Sequence, residues 1–304
     1  MRKYTGIEIG RLTFACLIPL LHIGLTGTVP FIAQQYLARL GVPFFYAVAG
    51  MFLVKSIDKK GALPALKQYI FRIGRMLLIW VLIYLPIILL RDGGLSLNEL
   101  LFKTPAYLWF LTGLVVASVP FCLIKNRKAL LWFSLLLYFS GTVFGEAYGK
   151  ITGGFPLYEK FFLTTRNGLF FGLPMMCVGE ATWRREKVPI YEFLLHGCLL
   201  AAEVTLICFY SEPGSMYISL PGFIYCLIIA CRNWNPHINT TYFGGISSAI
   251  YVMQFGIITV VMKAAEFFGL SGNWLHLAAW FMVIFLPAAF YLILRKAKII
   301  KILF

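Results

Sequence analysis

Along this chain, apolar residues run nearly unbroken for sixteen or more positions, give way to a short polar or basic stretch, and then resume, about ten times in all. Each run approaches the ~20 residues that an α-helix needs to cross a bilayer. The pattern predicts spans near 7–25, 37–54, 69–90, 105–124, 129–147, 166–183, 189–210, 217–231, 246–264 and 274–294, with the second and eighth the weakest. Pro43, Gly50, Gly172, Pro174 and Gly179 interrupt the runs. A membrane tolerates such breaks where a neighbouring helix or a water-lined cavity satisfies the freed backbone. The expected fold is an all-α polytopic membrane protein, a bundle of about ten transmembrane helices forming one domain over residues 1–304.

An even number of spans returns both termini to one side, and the basic residues select that side. Arg2 and Lys3, then Lys55, Lys59, Lys60 and Lys67, then Lys125, Arg127 and Lys128, then Arg184, Arg185 and Lys187, then Arg232, and finally Arg295, Lys296, Lys298 and Lys301 occupy alternate loops and the tails. The positive-inside rule assigns these, with both termini, to the cytoplasm. The intervening loops hold fewer: Arg39, Arg91, Lys103, Lys150, Lys160 and Lys263.

Composition supports the same class. The chain is 60% hydrophobic and 13% charged, with a mean hydropathy of +0.82, whereas soluble domains carry about a quarter charged residues. The net charge of +15 is then mostly an orientation signal, with the excess able to attract anionic lipid headgroups or an anionic ligand, and it requires no nucleic acid. The first run lacks a small-residue cleavage site and is followed by more of its kind, so it reads as a span and not as a removable signal. The seven cysteines lie in or beside apolar runs without C-x-x-C spacing and read as small buried residues. No zinc spacing, P-loop or dinucleotide fingerprint is present, so no metal is expected.

Candidate chemistry is concentrated in the first run. Arg11 and His22 are eleven residues apart, and on a continuous helix they would share a face to within about 20° and stand roughly 16 Å apart along the axis. Ionisable groups inside a membrane are a functional hypothesis by default, because each costs at least ~2.5 kcal/mol there. A neutral imidazole can take a proton from a hydroxyl and return it. Glu8, one turn before Arg11, allows the plainer reading of a local ion pair. Arg72 and Arg75 share a helix face and can grip phosphate through paired hydrogen bonds that lysine cannot imitate; membrane anchoring is the alternative. Arg166 and Asn167 open the sixth run and could meet a substrate or merely anchor the helix. Glu180, Glu192 and Glu203 read first as interface or packing residues, and His196, His237 and His276 as structural ones.

At this point the ordered motifs resemble membrane acyltransferase family 3. Glu8-x-x-Arg11-x10-His22 is similar to its first-helix pattern, and Gly41-Val42-Pro43-Phe44-Phe45-Tyr46 with Ala49-Gly50-Met51-Phe52-Leu53 to its second, with Ala49 where serine is usual. Arg72-x-x-Arg75 resembles the arginine pair, Tyr107-Leu108-Trp109-Phe110-Leu111 the "hLWFl" segment, and Asn167-Gly168-Leu169-Phe170-Phe171-Gly172-Leu173-Pro174 the "ngif.glpff" opening. Ser248-Ala249-Ile250-Tyr251-Val252-Met253-Gln254 resembles "s..iYliH", with glutamine in place of the terminal histidine.

The resemblance implies an enzyme of the cell membrane, multi-pass and in the bacterial cytoplasmic membrane. It would carry an acyl group from cytoplasmic acyl-CoA, with acetyl-CoA the first choice, to a hydroxyl of a glycan or other envelope acceptor. His22 and Arg11 would be catalytic, Arg72 and Arg75 would bind the CoA phosphates, and Arg166, Asn167, Trp109 and Gln254 would meet the substrate. Membrane lipids are expected partners, and a homodimer is compatible with this reading. Two alternatives stay open: a transporter or flippase of a small polar or lipid-linked substrate, and an inert membrane binding module, which Gln254 keeps in play.

Overall fold

The computed structural model describes residues 4–92, 96–102, 104–145, 148, 162–210 and 214–297. Arg2, Lys3, Lys103, Lys150, Lys160, Lys298 and Lys301, all counted above in the orientation argument, lie outside these residues, as do 146 and 147 at the end of the fifth run. Every regular element among the described residues is helical. In chain order they are α1 (Thr5–Leu17), α2 (Thr28–Ile32), α3 (Gly41–Lys60), α4 (Ala62–Asp92), α5 (Leu97–Phe102), α6 (Trp109–Leu123), α7 (Arg127–Phe144), α8 (Leu173–Trp183), α9 (Ile190–Tyr210), α10 (Leu220–Asn233), α11 (Phe243–Phe267) and α12 (Asn273–Lys296). Each of the ten apolar runs meets a helix.

Five helical stretches are long and apolar enough to cross a membrane: Thr28–Lys60, Ala62–Leu90, Ile190–Tyr210, Phe243–Phe267 and Asn273–Lys296. α6 and α10 are shorter and apolar. The second run extends further than its pattern suggested, because helical turns begin at Thr28 and continue through a π turn (Ala33–Leu37) and a 3-10 turn (Ala38–Leu40) into α3. The first run is less regular than expected. α1 stops at Leu17 and a 3-10 turn, Ile18–Leu21, carries the chain to His22. Pro19, in the first turn of that segment, has no N–H to continue the α ladder and its ring opposes a carbonyl four residues back.

The chain forms two compact units, Met1–Val42 with Trp234–Phe304, and Pro43–Asn233. In the second unit, α3 and α8 cross with their backbones in contact. A Cβ on Gly50 would lie 2.0 Å from the Met176 carbonyl oxygen, and one on Gly179 would lie 1.8 Å from that of Ala47. Two glycines on opposite helices thus do what small residues do in membranes, bringing helices close enough for extensive van der Waals contact. Tyr46, fully buried, fills the space beside this crossing and packs edge-on against Phe110 and Phe171.

One end of the second unit is fastened by its arginines. Arg127 donates from Nε to Glu180 at 2.8 and 3.0 Å and from Nη1 to the Phe121 and Ile124 carbonyls at 2.6 and 3.1 Å, binding the end of α6 to α8. Arg232, at the end of α10, donates to the carbonyls of Thr182, Arg185 and Glu186, and Lys55 stands over the Trp183 ring. Arg185 pairs with Glu192 at 2.7 Å, a contact that holds its guanidinium further above its ordinary pKa. The carbonyls left over at helix C-termini are natural partners for cations. Basic residues that the sequence assigned to one membrane face are therefore gathered at one end of this unit, where they also close the helix ends.

Candidate functional site

In the first unit, α1 and α11 run in the same direction. The Gly6 N–H donates to the Trp234 carbonyl at 2.9 Å before the two helices are fully formed. One turn further along α1, Arg11 donates from Nη1 to both carboxylate oxygens of Glu8, at 3.0 and 3.1 Å, and from Nη2 to the Gly244 carbonyl at 3.4 Å. Glycine at 244 leaves room for this pair, since a Cβ there would come within 2.7 Å of Arg11 Nη1 and 2.9 Å of Glu8 Oε2 and push the two side chains aside. α12 returns in the opposite direction, with Arg295 over the Tyr242 ring at 4.1 Å and the Tyr291 ring against Gly245. Trp280 on α12 donates to the Cys16 carbonyl at 2.8 Å, in the last turn of α1. The ion pair that the sequence offered as the plain alternative for Arg11 is present, and it is anchored to a second helix.

His22 caps the 3-10 turn, its N–H donating to the Pro19 carbonyl at 3.0 Å. The same-face geometry expected of Arg11 and His22 is corrected by this turn. With about 100° per residue to Leu17 and about 120° per residue beyond it, their directions differ by roughly 120°, and the axial separation grows to roughly 19 Å. Arg11 and His22 thus mark two levels of the unit and not one stripe of a helix. Gln254, on α11, is 1% exposed, and neither its carboxamide nitrogen nor its oxygen has a hydrogen-bond partner among the described residues.

In the second unit, Trp109 and Arg166 come together. The Arg166 guanidinium stands 5.1 Å from the Trp109 ring centre and donates from Nη1 to Ser215 Oγ at 3.2 Å. Strained backbone flanks both: Ala106 and Tyr107 have φ of 57° and 60° immediately before α6, and Leu163 has φ of 57° shortly before Arg166. Side chains bearing a Cβ avoid this region, and such outliers gather at functional sites. Asn167 caps the π turn Gly168–Gly172 that leads into α8. Its Oδ1 accepts from the N–H groups of Leu169 and Phe170 at 2.9 and 3.1 Å, and its Nδ2 donates to the Thr164 carbonyl at 2.7 Å. Its amide is engaged in building the turn that holds Arg166 in place.

Arg72 and Arg75 project from α4, exposed, with their guanidinium carbons 5.7 Å from the Tyr69 and Phe71 rings respectively. Among the described residues neither pairs with a carboxylate, so both can take an anion. Glu203 is accounted for structurally. It accepts from Tyr148 Oη at 2.7 Å, from the N–H groups of Ile218 and Ser219 at 2.6 and 2.8 Å, and from Ser219 Oγ, so that a carboxylate of α9 closes the start of α10. Burial pushes the Tyr148 phenol above its ordinary pKa and the Glu203 carboxylate adds to the shift, so Tyr148 remains a neutral donor. No group of three His, Cys, Asp or Glu able to hold a metal ion occurs among the described residues.

Fold and site together define an all-helical membrane protein whose first helix carries an ion-paired arginine, followed beyond a 3-10 turn by a histidine. The chain belongs to membrane acyltransferase family 3, whose acyltransferase domain matches residues 4–294. It is similar to two proteins of Enterococcus faecalis named amino-acid racemase. The first is 24% identical over 305 residues, covering 89% of this chain and 43% of that protein; the second is 28% identical over 259 residues, covering 74% and 35%. The chain thus spans less than half the length of these curated relatives. No solved structure gives a significant match.

Proposed function

We propose that this protein is a multi-pass acyltransferase of the cell membrane, moving an acyl group from acyl-CoA, acetyl-CoA in the first instance, to a hydroxyl of an envelope glycan or similar acceptor. Family membership supports acyl transfer. The observation that carries the reading to particular residues is the Arg11 clamp, in which an arginine inside an apolar helix is held by Glu8 and by a carbonyl of α11 that only glycine exposes so closely. An ionised group retained at that cost marks a ligand path, and the Nη and Nε hydrogens that are not committed to Glu8 and Gly244 among the described residues are donors for one.

In this mechanism His22 is the general base. It takes the proton of the acceptor hydroxyl as the oxygen attacks the thioester carbonyl, the C–S bond breaks, and the proton leaves with the CoA sulfur. Arg72 and Arg75 are the phosphate ligands, and Arg166 with Trp109 offers an acceptor a cation beside an aromatic face, on which sugar rings and hydroxyls bind well. Loss of a positioned base costs about 10²–10⁴ in rate. In membrane vesicles supplied with labelled acetyl-CoA and an envelope fraction, His22→Ala lowers acceptor-dependent CoA release by that factor. Wild-type rates in the variant would refute the assignment.

A second reading is favoured by one observation, the racemase names of relatives of which this chain matches only part. In that reading the membrane helices carry an amino acid or other small polar substrate. It expects labelled amino acid to enter vesicles without acyl-CoA and no thioester to be consumed; acyl transfer expects the reverse.

A further inference from the structure

Two side chains at the far level of the first unit have polar atoms that nothing among the described residues satisfies. Gln254 has both carboxamide atoms buried and unpartnered, and His276 has its Nδ1 buried and unpartnered. Such groups inside an apolar helix bundle are costly unless something binds them.

Their levels lie within about 7 Å of one another along the helices. Gly244 and Gly245 on α11 lie beside Arg11 and Tyr291, which fixes a common starting height for α1, α11 and α12. From there Gln254 stands about 15 Å along α11, His276 roughly 22 Å along α12, and His22 roughly 19 Å along the first run. The far ends are tied as well. Thr26 receives and gives hydrogen bonds with the Asn273 side chain at 3.1–3.2 Å, and a Cβ on Gly24, two residues after His22, would lie 3.7 Å from His276 Cε1. A histidine that looked isolated in the sequence is therefore brought by α12 beside the segment that carries His22.

We propose that Gln254 and His276 complete, with His22, one polar layer that binds the reacting groups. Gln254 Nε2 donates to the thioester carbonyl oxygen as it becomes an oxyanion, and His276 Nδ1 hydrogen-bonds the acceptor hydroxyl. The hydroxyl oxygen forms the new C–O bond, the C–S bond breaks, and the hydroxyl proton passes through His22 to the CoA sulfur; neither Gln254 nor His276 gains or loses a proton overall. Glutamine at 254 is then a working donor and not a lost histidine. The inference rests on the acyl-transfer reading.

The test uses the full chain in vesicles with acetyl-CoA and the envelope fraction, comparing Gln254→Glu, Gln254→His and His276→Asn with His22→Ala. Removing an oxyanion donor costs about 10²–10³ in kcat. Gln254→Glu, of the same shape but carrying an acceptor in place of the donor, should lose kcat by that factor at unchanged KM for acetyl-CoA. Gln254→His, which keeps an N–H, should recover most of it. His276→Asn should raise the KM for acceptor. Should a variant fail to accumulate folded protein, nitrogen-15 histidine spectra of the wild type decide, since the chain has only four histidines. Signals of His22 and His276 should both move when acetyl-CoA and acceptor are added. Wild-type kinetics in Gln254→Glu, or a His276 signal that stays put while His22 responds, overturns this inference and leaves the acyl-transfer reading standing. Wild-type activity in His22→Ala overturns both.

Discussion

At the residue scale, the Arg11 clamp combines three requirements that fail separately: a carboxylate one turn earlier, a carbonyl on a neighbouring helix, and a missing Cβ at Gly244. The atoms that an alanine at 244 would strike are the free ends of Arg11 and Glu8, which can swing away, so the fold tolerates the change while the guanidinium loses its place. Gly244→Ala should therefore leave the unfolding midpoint nearly unmoved and lower acyl transfer by at least tenfold, measured as CoA release by purified protein of matched monodispersity. A variant that loses stability instead would make the clamp a packing device. The ion pair was legible in the sequence because residues three apart on a helix are neighbours. The carbonyl contact was not, because it joins positions 233 residues apart. The unpartnered Nδ1 of His276 was not legible for the same reason, since spacing along one run says nothing about what a later helix brings alongside.

At the element scale, each apolar run found its helix, but their ends and irregularities follow local chemistry that hydropathy averages away. Pro19 ends α1 early, and Asn167 starts a π turn that delays α8 to Leu173. The spacing argument for Arg11 and His22 failed at the first of these, because it assumed one helix through a proline that cannot extend it. Two of the arginines that the positive-inside count groups together also share a structural task that the count does not contain. Arg127 and Arg232 are gathered at one end of the second unit because helix C-termini present carbonyls there. Arg127→Ala removes the hydrogen-bonded partner of Glu180, which is 7% exposed, leaves that carboxylate facing the more distant Arg184 guanidinium at 4.0 Å, and strips two carbonyls of their donor. The expected loss is about 3 kcal/mol, read as a lower unfolding midpoint in detergent. Arg127→Lys, with one compact charge, should recover only part of it.

At the scale of the whole molecule, an all-helical fold among the described residues, with five stretches able to cross a bilayer, supports a membrane protein, and the alternating basic loops predict a direction for it that labelling can test. Single cysteines in place of Lys187, between α8 and α9, and Ser96, between α4 and α5, should react with an impermeant maleimide from opposite sides of the membrane, Lys187→Cys only from the cytoplasm. Labelling of both from one side would break the alternation on which the ten-span reading depends. The central claim is that this bundle places an acyl group on an envelope hydroxyl through His22. It is tested most directly by mass spectrometry of envelope glycans and lipids from cells lacking the chromosomal copy and expressing either the wild type or His22→Ala. One acyl mass, 42 Da if the donor is acetyl-CoA (the difference between an acetyl group and the hydrogen it replaces), should appear on a single class of envelope molecule with the wild type and be absent with the variant. Identical spectra from the two cells would contradict the account.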